Sequence, residues 1–341
     1  MGTFLGGVSM ATFDSDLQAE LREMVRCVQL YFREQKQQRE IADELEISRS
    51  KVSRLLKRAS TEGFVKIDFD FPLLPKLAAE VAEHFQLRDV EVIPTGLETE
   101  IKEDLGIATA RYFERTAGKN VKVGLSCGLT LYHMVNHLRE GYLKDLHIYP
   151  LSTENSLRSV DLFPNTLVGM MAAKYRPHVN AFALPATILG SDEKAGRSRD
   201  LMFDKPEVKK IYREAHEVDV AMIGIGSVDA NTPGFCALAR QSNISPMKLS
   251  SLGAVGEFNY QLIDKEGKAV NNRELRRVRN RVTGVSLDHF RKMSVEHGKL
   301  VIAIGGGTAK VAAIRAVLNG RLCNVLITAQ DTAETLLERP A

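Results

Sequence analysis

The chain has 341 residues, 26% of them charged, with a formal net charge of +3. That length exceeds the usual single domain, so two parts are expected, at least one with a sizeable core. The small net charge does not by itself imply a nucleic-acid partner, and no run of about 18 uncharged apolar residues exists to span a membrane. The four cysteines Cys27, Cys127, Cys236 and Cys323 form no C-x-x-C pair, which fits reduced thiols in a cytoplasmic protein.

Residues 1–15 lack a basic start and run into Asp14, so they read as a flexible leader rather than a secretory signal. Leu17, Leu21, Met24, Val25, Val28 and Phe32 fall at helical spacing and predict a first amphipathic helix. The stretch QQREIADELE predicts a second, shorter helix with Ile41 and Leu45 on one face. In ISRSKVSRLLKRAST, Ser48 is placed to cap a third helix that turns Val52, Leu55, Leu56 and Ala59 inward. Basic charge is concentrated here: Arg49, Lys51, Arg54, Lys57, Arg58 and Lys66 stand against a single Glu62.

Two short helices joined by a brief turn, the second basic and carrying small hydroxyl side chains near its start, have the shape that enters a DNA major groove. GFVKIDFDF follows with a glycine and alternating apolar residues, which predicts a strand or wing. Residues 16–71 are therefore expected to form a winged helix-turn-helix presenting Gln38, Ser48, Arg49, Ser50, Lys51, Ser53, Arg54 and Lys57 to DNA. Arg49 and Arg54 suit guanine edges, and Lys51, Ser53 and Lys57 suit phosphates. Glu46 occupies the turn position where glycine usually supplies a positive φ.

Pro72 and Pro75 punctuate the chain, and a helix from Leu77 to Phe85 is expected to serve as a linker across 72–88. From 89 to 341, apolar runs alternate with helical patterns. The strand candidates are VEVIP, VKVGLS, LHIYPL, VNAFALP, VDVAMIGIG, LVIAIGG and NVLIT. The helix candidates are 101–117, 129–140, 164–176, 206–217, 308–319 and 330–338. This order predicts a doubly wound, mainly parallel α/β domain with ligands beyond the carboxyl ends of its strands.

Four turns after strands carry suitable chemistry. GLSCGLT offers Ser126, Gly128 and Thr130 between a strand and a helix, where small residues let backbone amides and hydroxyls approach an anion. GIGSVDA offers Gly224, Gly226 and Ser227, GAVGEFNYQLID offers Glu257, and GGGTAK offers Lys310. Each glycine also serves any tight strand-to-helix turn, and GGGTAK has neither dinucleotide-fold nor Walker spacing. Three other readings stay open. GLSCG matches the G-x-S-x-G elbow of serine hydrolases, with Asp229 or Asp288 and then His289 or His297 following in order. A lysine and a carboxylate would equally serve proton transfer in an isomerase-like enzyme, and an empty scaffold is the third possibility. His133 and His137 have a metal-compatible spacing but lack the glutamate of H-E-x-x-H and a third ligand, so no metal is predicted. The basic run RELRRVRNR, 273–281, reads as a solvated face.

Taken in order, IADELEISRSKVSRLLKRASTEGFVKI, VGLSCGLTL, VDVAMIGIGSV, GAVGEF, GVSLDHFRKM and GGGTAKVAAIRAVLNGRLCNVLITAQDTAETLL resemble a SorC-family transcriptional regulator with a deoxyribonucleoside-repressor-like effector domain. The resemblance covers about Leu21 to Leu337. It implies an effector domain related to sugar-phosphate isomerases but not an enzyme, with no cofactor, in which a sugar or polyol phosphate controls operator binding by a homodimer or homotetramer. It further implies that Ser126, Gly128 and Thr130 form a phosphate turn, that Glu257 meets sugar hydroxyls, that Lys310 lies near the phosphate, and that Asn165 is a polar contact. STENSLRS, 152–159, departs from the family pattern, with Arg158 as a substitute for its arginine.

Overall fold

The computed structural model describes residues 10–62, 64–65, 72–96, 100–153, 162–185, 203–229, 244–275 and 283–338. The chain divides into two compact units, Met1–Asp70 and Phe71–Ala341.

The first unit contains three helices among its described residues: α1 (Met10–Val28), α2 (Gln38–Glu44) and α3 (Arg49–Thr61). Met24, Cys27, Leu30, Ile41, Ala42, Val52, Leu55 and Ala59 close its core. The first helix differs from the expected Leu17–Phe32. It begins earlier, and after Val28 it widens into a π-turn, Gln29–Arg33, where Glu34 N–H reaches back to Gln29 O at 3.2 Å. A π-turn holds one more residue than an α-turn, so the facing set rotates. Leu30 goes into the core and Phe32, expected on the apolar face, is exposed; Val25, ahead of the π-turn, is exposed as well.

Helix α2 opens with a capping box between Gln37 and Glu40 and closes in a Schellman turn, in which Ile47 N–H bonds Ala42 O at 3.0 Å. Glu46 sits in that turn with φ +53°. Ser48 caps α3, its hydroxyl accepting the Lys51 N–H at 3.2 Å. Of the expected wing only Phe64 and Val65 lie within the described residues, and Val65 N–H bonds Ala59 O at 3.1 Å.

The second unit is built on parallel strands β1 (Asp89–Ile93), β2 (Lys122–Leu125), β3 (Leu146–Pro150), β4 (Val179–Ala181), β5 (Val220–Ser227), β8 (Leu300–Ile304) and β9 (Val325–Ala329), in the order β1-β9-β8-β5-β2-β3-β4. A hairpin of β6 (Gly256–Phe258) and β7 (Gln261–Ile263) extends antiparallel from the end of β5. Helices α5 (Ile101–Thr116), α6 (Leu129–His137) and α7 (Pro164–Tyr175) cover one face. The other face is packed by α4 (Pro75–Phe85), α8 (Pro206–His216), α10 (Leu287–Val295), α11 (Val311–Asn319) and α12 (Gln330–Leu337), with a short α9 (Pro246–Ser251) beside the hairpin.

Strand alternation builds the two cores. In β8, Leu300, Ile302 and Ile304 face the α5 to α7 layer, and Val301 and Ala303 face the opposite one. Helix α4, which lies within the expected linker 72–88, is an integral layer of this unit: its Ala78 and Val81 are buried in the second core and it packs on β1 and α12. The expected helix from 308 starts as a single 3-10 turn, Thr308–Lys310, before α11. The hairpin, α9 and α10 were not expected as elements.

From β2 the chain runs outward through β3 to β4, then returns to the other side of β2 as β5 and continues to β8 and β9. The winding reverses between β2 and β5, which is where such sheets open a crevice.

Candidate functional site

On the first unit, α3 sorts its cations. Lys51 Nζ pairs with Glu23 of α1 at 2.7 Å, and Arg58 pairs with Glu20 at 2.9 Å and Glu62 at 2.6 Å. Ser48 is spent as the cap and shares a 3.0 Å contact with the Ser50 hydroxyl. Arg49, Ser50, Ser53, Arg54 and Lys57 are exposed, and Arg49, Arg54 and Lys57 form no ion pair with the described residues. Residues 50, 53, 54 and 57 follow the i, i+3, i+4, i+7 pattern of one helix face. Lys51, expected on phosphates, is instead tied to α1, because its position beside Val52 turns it toward Glu23. Gln38 lies partly buried in the first turn of α2.

On the second unit, the turns after β2, β5 and β8 converge at the crevice. Gly128 has φ +123°, a conformation that only glycine adopts without strain, and it starts α6 so that Thr130 lies in the helix's first turn. Ser126 is buried, and its hydroxyl donates to Asn259 Oδ1 at 2.9 Å. The Asn259 amide in turn donates to Leu151 O and Val285 O, each at 3.1 Å. Asn259 and Tyr260 form the tip of the β6–β7 hairpin with φ +48° and +60°, the paired left-handed geometry of a type I′ turn.

That partner decides against a hydrolase elbow. The Ser126 hydrogen points at an amide oxygen, whereas His289 stacks edge-on with His216, ring centres 4.8 Å apart. Cys127 is no better as a nucleophile, since burial, reinforced by the Glu257 carboxylate, pushes its thiol up to about 12.

Glu257 is buried on β6 opposite Gly226 of β5. Lys310 reaches the same strand, its ammonium donating to Ile225 O at 2.8 Å. Burial first and the charge of Lys102 second lower the Lys310 pKa to about 8, with Glu257 opposing both. The crevice thus brings a partly buried ammonium and a buried carboxylate together beside β5, with the hydroxyls of the Ser126–Thr130 turn on the neighbouring strand β2. Nothing in the sequence pattern marks Lys102, which sits in the first turn of α5, nor Asn259, whose role depends on a hairpin tip that lacks an Asn-Gly signal.

Asn165 holds the scaffold together. Its side-chain amide both donates to Leu184 O at 2.7 Å and accepts from Leu184 N–H at 3.1 Å, fixing the segment after β4. Of STENSLRS, only Ser152 and Thr153 are described; both are buried, and Thr153 Oγ1 accepts the Thr283 N–H at 3.1 Å. Arg158 lies outside the described residues. So does most of the basic run, although Glu274 at its start pairs with Lys248 at 2.7 Å. His137 Nδ1 lies 2.8 Å from His133 O, and no group of three metal-binding side chains occurs among the described residues.

A helix pair with an outward basic face, followed by an α/β domain with a cationic crevice at its switch point, defines a ligand-responsive DNA-binding regulator. Residues 71–338 match the Sugar-bind family of sugar-binding domains, and residues 23–61 match region 4 of sigma-70 factors. The chain belongs to this family, that of the SorC-type sugar-binding transcriptional regulators.

Its relatives include the deoxyribonucleoside regulator of Bacillus subtilis, 26% identical over 92% of this chain and 96% of the relative. The transcriptional regulator LsrR of Escherichia coli K12 is 25% identical over 93% and 95%. The full-length sorbitol operon regulator SorC of Klebsiella pneumoniae has a similar structure, with a TM-score of 0.66 at 25% identity over 93% of this chain and 99% of that one. Among the described residues, no helix is long and apolar enough to cross a membrane.

Proposed function

We propose that the protein is a cytoplasmic regulator of a carbohydrate catabolic operon whose operator affinity is set by a sugar or polyol phosphate. The observation that carries this is the partly buried Lys310 ammonium held on Ile225 O of β5, between Glu257 on the neighbouring strand β6 and the Ser126–Gly128–Thr130 turn that follows β2, the other neighbour of β5. A cation, a helix start and small residues fit a phosphate, and a buried carboxylate fits sugar hydroxyls. The names of the relatives, which concern a deoxyribonucleoside and a sorbitol operon, support a carbohydrate ligand.

Arg49 and Arg54 read bases, Lys57 and Ser53 hold phosphates, and Ser48 and Asn165 keep their parts of the scaffold in place. A homodimer or homotetramer places two helix pairs on a pseudo-palindromic operator. The effector acts as a switch by binding one quaternary arrangement a few kcal/mol better than the other.

The test is a thermal-shift screen of sugar phosphates, polyol phosphates and their unphosphorylated forms, followed by operator binding with each compound that stabilises. Phosphorylated compounds should raise Tm and change operator affinity. Stabilisation by unphosphorylated sugars alone would contradict the phosphate assignment, and stabilisation without any change in operator affinity would contradict the switch.

A further inference from the structure

We infer that Asn259, at the tip of the β6–β7 hairpin, is the positioning residue of the crevice. It takes the single hydroxyl proton of Ser126 and so holds the turn after β2 in place, leaving Thr130 as the hydroxyl of that turn that meets the phosphate. This rests on the reading of the crevice as a phosphate site. It divides two hydroxyls of one turn between two tasks, and it adds a residue from outside the turn.

The orientation of the Asn259 amide is fixed by its neighbours. Its nitrogen lies 3.1 Å from both Leu151 O and Val285 O. Carbonyl oxygens only accept, so the atom between them is the NH2 group with both protons committed. The amide oxygen therefore faces Ser126, and because it too only accepts, the 2.9 Å contact is a bond donated by the Ser126 hydroxyl. Both carbonyls also accept from a second donor, Leu151 O from Val285 N–H and Val285 O from the Gln261 amide, each at 2.9 Å. A flipped amide would set oxygen against oxygen at both.

A serine hydroxyl has one proton. With that proton on Asn259 and the residue 1% exposed, Ser126 has none to donate to a phosphate. The Cys127 sulfur would need it only as a thiolate, and burial first and Glu257 second push that thiol up to about 12, so it keeps its own proton. Thr130 differs. Helix α6 starts at Gly128 without a side-chain cap, the Gly128 N–H is taken by Leu162 O at 3.2 Å, and Thr130 forms no side-chain hydrogen bond with the described residues. The first-turn amides and the Thr130 hydroxyl are the donors left for an anion.

Asn259 reaches this turn because the hairpin grows out of β5: Phe258 pairs with Ile225, whose carbonyl holds Lys310. The turn itself leans on the same strand, since Ser126 N–H bonds Met222 O at 3.1 Å and Cys127 O lies 3.6 Å from where a side chain on Gly224 would begin. Its backbone is thus fastened to β5 and its hydroxyl to the hairpin, and the same amide holds Leu151 at the end of β3.

The experiment measures inorganic phosphate binding to the full-length protein by calorimetry at constant ionic strength. The crevice component is the part that Lys310→Met abolishes. Ser126→Ala and Asn259→Gly should each weaken that component roughly three- to tenfold, the glycine keeping the left-handed turn while removing only the amide. The double variant should bind no more weakly than the weaker single variant, because Ser126 acts only through Asn259. Thr130→Val should weaken binding by a similar factor in the wild type and in the double variant. Asn259→Ser takes the place of the glycine in this cycle should that variant not fold.

Losses from Ser126→Ala and Asn259→Gly that multiply in the double variant would put Ser126 on the phosphate itself and overturn the inference. A lowered Tm in both single variants with unchanged phosphate affinity would reduce Asn259 to a structural residue and overturn it as well. Wild-type affinity in Thr130→Val would deprive the turn of its phosphate hydroxyl and overturn the division. Absence of any Lys310-dependent phosphate binding in the wild type would instead overturn the phosphate reading beneath it.

Discussion

The two units handle positive charge in opposite ways. On α3, the cations that face α1 are neutralised by Glu20, Glu23 and Glu62, and Arg49, Arg54 and Lys57 are left in solvent. In the crevice, Lys310 is partly buried, its ammonium donates to the Ile225 carbonyl at 2.8 Å, and its charged form is disfavoured. An exposed cation costs little to maintain and is screened by salt, which suits a partner such as DNA whose phosphates are uniform and abundant. A desolvated cation is costly while alone and rewarded when an anion arrives, which suits a ligand that comes and goes.

The largest effect that would break this comparison is at Lys310. Lys310→Met removes one partner of a buried charge contact and should weaken binding of a stabilising sugar phosphate by roughly 2–5 kcal/mol, measured by calorimetry. An affinity within twofold of wild type would place the phosphate elsewhere. The same residue sets a pH dependence. Its folded pKa of about 8 lies below the unfolded value, so the charge is unfavourable in the folded state below pH 8, and the ligand-free protein gains stability from this group as pH rises from about 8 toward 10.5. Phosphate affinity should run the other way, falling as pH rises through 8. A flat phosphate titration between pH 7 and 9 would contradict the assignment.

Next in size is Arg49→Ala, which should cost roughly 1–3 kcal/mol on the preferred operator and relax base preference at one position of each half-site. Unchanged preference would shift the reading face along α3.

How much of this is visible in the sequence depends on whether the signal is local. The Ser48 cap, the i, i+3, i+4 spacing of Val52, Leu55 and Leu56, and the strand–turn–helix runs at Ser126 and Lys310 are short-range patterns, and they place α3 and the crevice turns correctly. Glu46 stands at a turn position that favours a positive φ, and it adopts one. What escapes depends on contacts between distant segments. The π-turn that buries Leu30 and exposes Phe32 changes helical phase at one place, which a fixed 3.6-residue period cannot register. The hairpin has three-residue strands and an Asn-Tyr tip, held by Asn259 bonds to residues over a hundred positions away and to Val285. Ser286 and the spacing of Leu287, Phe290 and Met293 do carry a readable signal for α10, with the Ser286 hydroxyl capping it at 3.2 Å. Lys51 looks like its basic neighbours until the fold brings Glu23 beside it.

Lys57 and Lys51 sharpen the comparison at smaller size. Lys57→Ala should weaken binding to all DNA sequences alike and reduce the slope of log affinity against log salt by about 1. Lys51→Ala should leave that slope nearly unchanged, since its charge is already paired. Equal slopes for the two variants would mean that the Glu23 pair opens on DNA.

The smallest effect belongs to Glu46, where conformation and charge can be separated. A non-glycine residue in the left-handed region costs about 1–2 kcal/mol, and glycine gives back about 0.5–1 kcal/mol through its freer unfolded chain. Glu46→Gly should therefore stabilise the first unit by about 0.5–1 kcal/mol, read from its denaturant midpoint at unchanged m-value. Because that gain is conformational, it should persist at high salt. The variant also deletes an exposed carboxylate from the turn leading into α3, so operator affinity should rise slightly at low salt and return to wild type as screening sets in. A stability gain that vanished with salt would instead assign the strain of this turn to charge, and place Glu46 among the acidic residues that sort the cations of α3.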